Sequence, residues 1–224
     1  MGRAQRAMLV TVAVLLAAAM GAGGCGPGTN GPVALNIVLP PGQRTAEGAF
    51  PYAREAVLQW CHSHRQSDKI VPTSVEVDGH LDAVLAGRYS VTYRFQQPAD
   101  DPSDYYVLFH VYADVGGGRL TKIEVDVGES RDSRPEITGY PGKWVSMRRA
   151  VDLAEARAQR GGVHIAHDAW AHAETWWGYR GGREVQEWFV EFTGKVGPHR
   201  RLNYLVWVTS GGRVEMAQLY YTPT

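Results

Sequence analysis

Cysteine is nearly absent from this chain, with only Cys25 and Cys61 in 224 residues. A surplus of charge is absent too: 23 Lys and Arg stand against 23 Asp and Glu. Nucleic-acid binding needs a clustered basic face to replace phosphate counterions, so this balance argues against such a partner. No apolar run reaches the ~20 residues that a helix needs to cross a bilayer; the longest, Met8 to Met20, falls well short. The chain also lacks Gly-x-Ser-x-Gly, His-Glu-x-x-His and a phosphate-binding glycine loop. With none of these motifs, and no cofactor signature, no catalytic residue is nominated and no enzyme is expected.

What is present begins at the amino terminus. Arg3 and Arg6 precede the apolar run, and the small residues Gly21-Ala-Gly-Gly lead into Cys25. A basic start, a short apolar core and small residues before a cleavage point make an export signal over residues 1–24. Ala22-Gly23-Gly24-Cys25 resembles the lipobox of bacterial lipoproteins, with Ala22 where Leu is usual. The resemblance implies that Cys25 carries a diacylglyceryl group and becomes the first residue of the exported chain. The implied place is the outer face of the cell membrane or the outer membrane, reached through the lipid anchor. Acyl chains hold such a chain at a bilayer because each buried CH₂ contributes about 0.8 kcal/mol.

If Cys25 is acylated, Cys61 has no partner for an intramolecular disulfide. An unpaired thiol in an oxidising compartment is best buried. Ala53, Ala56, Val57, Trp60 and Cys61 fall on one apolar stripe at helical spacing, which places Cys61 in a core. Residues 25–50 open with Gly26-Pro-Gly-Thr-Asn-Gly-Pro32 and read as a flexible tether, with a short edge strand from Val33 to Leu39 before Pro40-Pro41.

The remainder divides into two units, residues 51–128 and 145–224, joined by a linker over 129–144 that is rich in Gly, Pro and charge. The first unit is expected to hold a helix over 52–64 and strands near 74–77, 89–95, 105–113 and 120–127. The second is expected to hold a helix over 146–160, with Ser146 as its N-cap, and strands near 163–165, 186–193, 202–209 and 213–220. Met147, Ala150, Val151 and Ala154 repeat the stripe of the first helix at a constant spacing, and Val91, Tyr93 and Phe95 align with Trp188, Val190 and Phe192. Val115-Gly-Gly-Gly118 and Ser210-Gly-Gly212 supply hairpin turns. The fold class expected is α+β: two tandem units, each one helix packed on an antiparallel sheet of about four strands.

Trp188-Phe-Val-Glu-Phe192, followed by the hairpin Leu202 to Met216, resembles the PepSY-like, cystatin-like α+β domains of exported bacterial proteins; the second unit matches better. In that family the strand before the hairpin often reads Trp-x-Val-x-Phe. The resemblance implies a domain that restrains peptidases or mediates contacts in the envelope, with no catalytic residues to carry over.

Four side-chain groups carry candidate chemistry. His164, His167 and His172 hold imidazoles that bind zinc or copper where three or four ligands converge; on a strand, the odd spacing of the first two would split them between faces. Cys61, His62 and His64 offer a second possible trio, set against simple packing. Asp100, Asp101 and Asp104 gather carboxylates in a loop without the ligand spacing of an EF-hand. Trp170, Trp176, Trp177 and Tyr179 form an aromatic group able to hold a peptide or a sugar ring if exposed. The reading that follows is a lipid-anchored, non-catalytic binding module of the cell envelope, without cofactor, acting on a peptidase, a peptide or a wall component. The alternative is a metal-binding lipoprotein using the three histidines.

Overall fold

Thr45 and Ser146 start the two main helices. The Thr45 hydroxyl accepts from the Gly48 amide at 2.9 Å and the Ser146 hydroxyl from the Arg149 amide at 3.2 Å, so each satisfies an amide that the first helical turn leaves without a partner. Helix α1 runs Ala46–Ser63 and α3 Met147–Arg160; a single-turn helix, α2, covers Leu81–Leu85. The computed structural model describes residues 32–97, 106–128 and 134–223. Cys25 and the signal segment, and Asp100, Asp101 and Asp104, lie outside the described residues.

Small residues line the inner faces of both helices. Ala46, Ala49, Ala53 and Ala56 in α1, and Ala150, Ala154 and Ala158 in α3, are fully buried. They let the helix backbones approach a sheet whose inward side chains are large: Tyr93, Phe95, Phe109, Trp188 and Phe192. Alternating large and small residues across facing layers fills the space between helix and sheet without voids. Side-chain bonds lock the helix starts to that sheet. Tyr93 Oη donates to the Ala46 carbonyl at 2.7 Å, and Trp188 Nε1 donates to the Val145 carbonyl at 3.0 Å. The two helix starts also meet each other, because Glu47 Oε1 of α1 accepts from the Met147 amide of α3 at 2.5 Å.

The strands are β1 (Val33–Val38), β2 (Val71–His80), β3 (Ser90–Gln97), β4 (Tyr106–Asp114), β5 (Arg119–Gly128), β6 (Trp170–Arg180), β7 (Arg183–Lys195), β8 (Arg200–Thr209) and β9 (Val214–Pro223). They form one nine-stranded sheet in the order β1-β5-β4-β3-β2-β6-β7-β8-β9. Every pairing is antiparallel.

This sheet overturns the expected pair of tandem units, each with its own four-stranded sheet. The seam is the β2–β6 ladder, in which Glu76 to His80 pair with Glu174 to Trp170. Two separate sheets would have left β2 and β6 as open edges, with rows of unpaired N–H and C=O groups. Pairing them removes both edges, and beyond the last ladder pair Thr175 Oγ1 accepts from the Val75 amide at 2.9 Å. Both helices lie on the same face, over one continuous core.

Smaller differences have local causes. Helix α1 begins six residues before the expected start, at the Thr45 cap, and runs through Pro51; a proline there removes one helical hydrogen bond. Residues 163–165 are not a strand, and β6, which was not foreseen, takes the neighbouring sequence. The tether expected over 25–50 is ordered fold from Val33 onward, since β1 pairs with β5 and Leu39 is wholly buried.

Candidate functional site

Helices cover one face of the sheet, so the residues of opposite parity form a second, open face. Cross-strand neighbours share a face, and the register therefore assembles rows that run across the strands. One row reads Lys122, Tyr112, Thr92, Glu76, Glu174, Phe189, Trp207 and Met216. An adjacent stretch reads Asp78, His172, Glu191 and Leu205.

His172 sits at the centre, against the β2–β6 seam. Its Nδ1 lies 2.9 Å from Asp78 Oδ1 and its Nε2 4.0 Å from Glu174 Oε2. The bond to Asp78 raises the His172 pKa above the ordinary imidazole value; burial opposes the shift, and the charges of Asp78, Glu174 and Glu76 add to it. Asp78 is lowered in turn, chiefly by the bond to His172. Glu174 is raised, because burial disfavours its charge more than His172 and the nearby arginines restore it. Glu76 is paired with Arg94 and accepts from Ser74 Oγ at 3.1 Å.

The charged band continues on β4 and β5. Tyr112 Oη donates to Glu124 Oε2 at 2.5 Å, Lys122 Nζ donates to Glu124 Oε1 at 2.6 Å, and the Lys122 ammonium lies 4.0 Å from the Tyr112 ring centroid. His110 is lowered by burial and by Arg94, and its Nε2 is 3.5 Å from Asp126. Beside this band lies an aromatic ledge: Phe189 and Trp207 have ring centroids 5.1 Å apart, and Phe189 lies 6.5 Å from the His172 ring.

The four aromatics singled out from sequence do not form one group. Trp170, 44% exposed, sits on the open face edge-on to His80. Trp176 lies on the same face over Gly178, where a methyl group would overlap its indole. Trp177 and Tyr179 have the opposite parity; their rings meet at 5.2 Å, and Trp177 Nε1 donates to Glu184 at 2.7 Å. Tyr179 is 67% exposed.

Nor are the three histidines brought together as a ligand set. His164 and His167 are exposed in the segment before β6, whereas His172 is on β6 and bonded to Asp78. Among the described residues no three His, Cys, Asp or Glu side chains are grouped to hold a metal ion. Cys61 is a buried free thiol whose pKa is pushed up to about 11 by burial, then by Asp68. His64, expected from its helical spacing to share the buried stripe with Cys61, is instead exposed past the end of α1, stacked on Trp60 at 4.0 Å.

A concavity lies at the end of the open face, where the β6–β7 and β8–β9 turns adjoin. It is a bay of about 380 Å³ lined by Arg180, Arg183, Glu187, Thr209, Ser210, Arg213 and Glu215, among others. Arg180 Nη2 is 2.7 Å from Glu187 Oε2, and Arg213 pairs with Glu215.

Comparison with known proteins adds little to this geometry. No family model matches the chain, and no curated protein matches it. Among solved structures it is similar to the 12:0-ACP thioesterase from Umbellularia californica, at 9% identity and a TM-score of 0.25, over 88% of this chain and 100% of that one. So distant a likeness assigns neither family nor activity.

Sequence reasoning named His172 but missed Asp78, Glu76, Arg94, Glu174 and His110. The signal that could have found them is alternation. Charged residues at 76 and 78, at 172 and 174, and at 94 alternate with buried Val75, Val77, Ala171, Ala173, Tyr93 and Phe95. That pattern marks one strand face as polar without saying which strands adjoin.

Proposed function

We propose that this protein is a non-catalytic interaction module, held at a membrane by acyl chains on Cys25, whose open sheet face recognises a basic segment of an envelope protein or peptide. The observation that carries this reading is the set of part-buried carboxylates Glu76, Asp78 and Glu174 gathered at the seam, with Arg94 and His172 as their cationic neighbours. Carboxylates outnumber fixed cations there, and the Phe189–Trp207 ledge alongside suits the aliphatic stem of a lysine or arginine or the face of a guanidinium. An open sheet face suits an extended segment or a partner surface better than a small molecule. The resemblance of the Trp188–Phe192 strand to PepSY-like domains is in keeping with an envelope interaction role.

Two measurements test the reading. Fluorescence anisotropy of labelled lysine- and arginine-rich peptides should show saturable, salt-sensitive binding that weakens roughly tenfold in Glu76→Gln with Glu174→Gln, while acidic peptides do not bind. Equal binding of both peptide types would sink the proposal. For the anchor, Cys25→Ser should abolish fatty-acid labelling and release the chain from the membrane fraction. Unchanged labelling would remove Cys25 from the account.

A further inference from the structure

The bay between the β6–β7 and β8–β9 turns lies at the turn end of the open face, away from the carboxylates of the β2–β6 seam, and its charge arrangement is unusual for a structural turn. Gly181 and Gly182, both at positive φ, make a tight two-residue hairpin turn. That turn places Arg180 and Arg183 directly opposite each other. Like charges at opposed positions of an antiparallel pair destabilise it. The neighbouring turn adds a third guanidinium: the Arg213 amide donates to Thr209 Oγ1 at 2.9 Å, and the Thr209 amide to the Arg213 carbonyl at 2.8 Å, so the base of Arg213 is fixed.

The carboxylates present do not use up these cations. Glu187, 1% exposed, holds one nitrogen of Arg180, and Glu215 holds Arg213. Arg183 is exposed and has no ion-pair partner among the described residues. Arg180 Nη1 is shielded from solvent and has no hydrogen-bond acceptor among the described residues. A buried donor without an acceptor costs about 1–3 kcal/mol, more when charged, and a small turn of the guanidinium would direct it into the bay that Arg180 lines. Two fixed carboxylates, three guanidinia and the Thr209 and Ser210 hydroxyls leave a net positive, donor-rich hollow.

We propose that this bay is a binding site for a phosphate group, held in a fork by Arg183 and Arg180 with Arg213 closing the other side and the Ser210 hydroxyl donating to the remaining oxygen. Guanidinium forks match the geometry of phosphate oxygens. The phosphate could be carried as a monoester or free ion in solution, or as the diester of a lipid headgroup; the recognition chemistry is shared, and charge separates the two.

The test uses the full-length chain in nonionic detergent at constant ionic strength, following the backbone amide resonances of Gly181, Gly182 and Gly211. Inorganic phosphate represents the soluble dianion and glycerophosphoglycerol the headgroup diester. Saturable shifts at those amides are expected with at least one of them, and the tighter of the two names the source. Arg183→Gln, which also relieves the repulsion from Arg180, should weaken binding roughly tenfold without lowering the melting temperature, and Arg213→Gln should weaken it by a similar factor, whereas Arg160→Gln, exposed at the end of α3, should leave binding as it was. Absence of saturable shifts with both anions overturns the proposal. So does equal weakening by Arg160→Gln, because general charge attraction would then account for the effect.

Discussion

His172 shows how one side chain's chemistry is set by a residue far away in sequence. Its raised pKa and the lowered pKa of Asp78 have the same leading cause, the bond between them. The raised imidazole contributes stability that is fully present below its ordinary value of 6.5 and is lost as pH climbs through the higher folded value. The lowered carboxylate contributes stability present above 3.8 and lost as pH falls through its folded value. The pair is therefore strongest in mild acid. The stability difference between the native chain and His172→Gln, measured by urea unfolding, should be largest between the ordinary values of the two groups, 3.8 and 6.5, and shrink as pH rises through the imidazole's higher folded value. Half-buried His110 titrates with the opposite sign, since burial lowers it, but it is common to both chains and cancels. A difference that grows with pH would contradict the pairing. His172 was visible in the sequence as a candidate ligand, yet its real partner was not. Asp78 comes to it only through the β2–β6 register, and no local pattern encodes which strands become neighbours.

At the scale of elements, the helices were the most legible part and their mutual contact the least. The stripes Ala53–Trp60 and Met147–Ala154 declare two amphipathic helices, and both are buried. Ser146 was readable as a cap because caps are local. Glu47 was not, since its acceptance of the Met147 amide joins two helices a hundred residues apart. Both side chains nevertheless serve the same end of α3, where the helix dipole favours a carboxylate. Glu47→Ala should cost about 1–2 kcal/mol and Ser146→Ala about 1 kcal/mol. In a double-mutant cycle the two should couple, because fraying caused by one loss reduces what the other can still contribute. Strict additivity would show that Glu47 acts elsewhere than at the α3 terminus. Strand β6 escaped notice for a different reason. Ala171 and Ala173 are weak strand formers, so the alternation with His172 and Glu174 was fainter than the aromatic run that follows.

The whole molecule is one sheet with one core, and that decides how it should unfold. Had each half kept its own sheet, the β2–β6 seam would be a docking contact and the halves would melt separately. Here the seam is a ladder crossed by core residues on both sides: Val77 pairs with Ala173, and each is buried. Periodicity along the chain could reveal strands and helices but not this join, because pairing β2 with β6 rather than leaving two edges is a matter of satisfying backbone groups between distant segments. Thr175 gives a probe of it. Its hydroxyl takes the Val75 amide at the end of the ladder, and Thr175→Val keeps the shape while removing that acceptor. Leaving a buried amide unpaired should cost about 1–3 kcal/mol. Seam and halves forming one cooperative unit, the loss should move the entire unfolding curve. Circular dichroism, which averages over all strands, and tryptophan fluorescence, which is weighted to the second half because Trp60 is the sole tryptophan before Trp144, should shift together by the same denaturant increment. A fluorescence transition that moves while the circular dichroism splits into two would mean that the halves unfold independently across the seam.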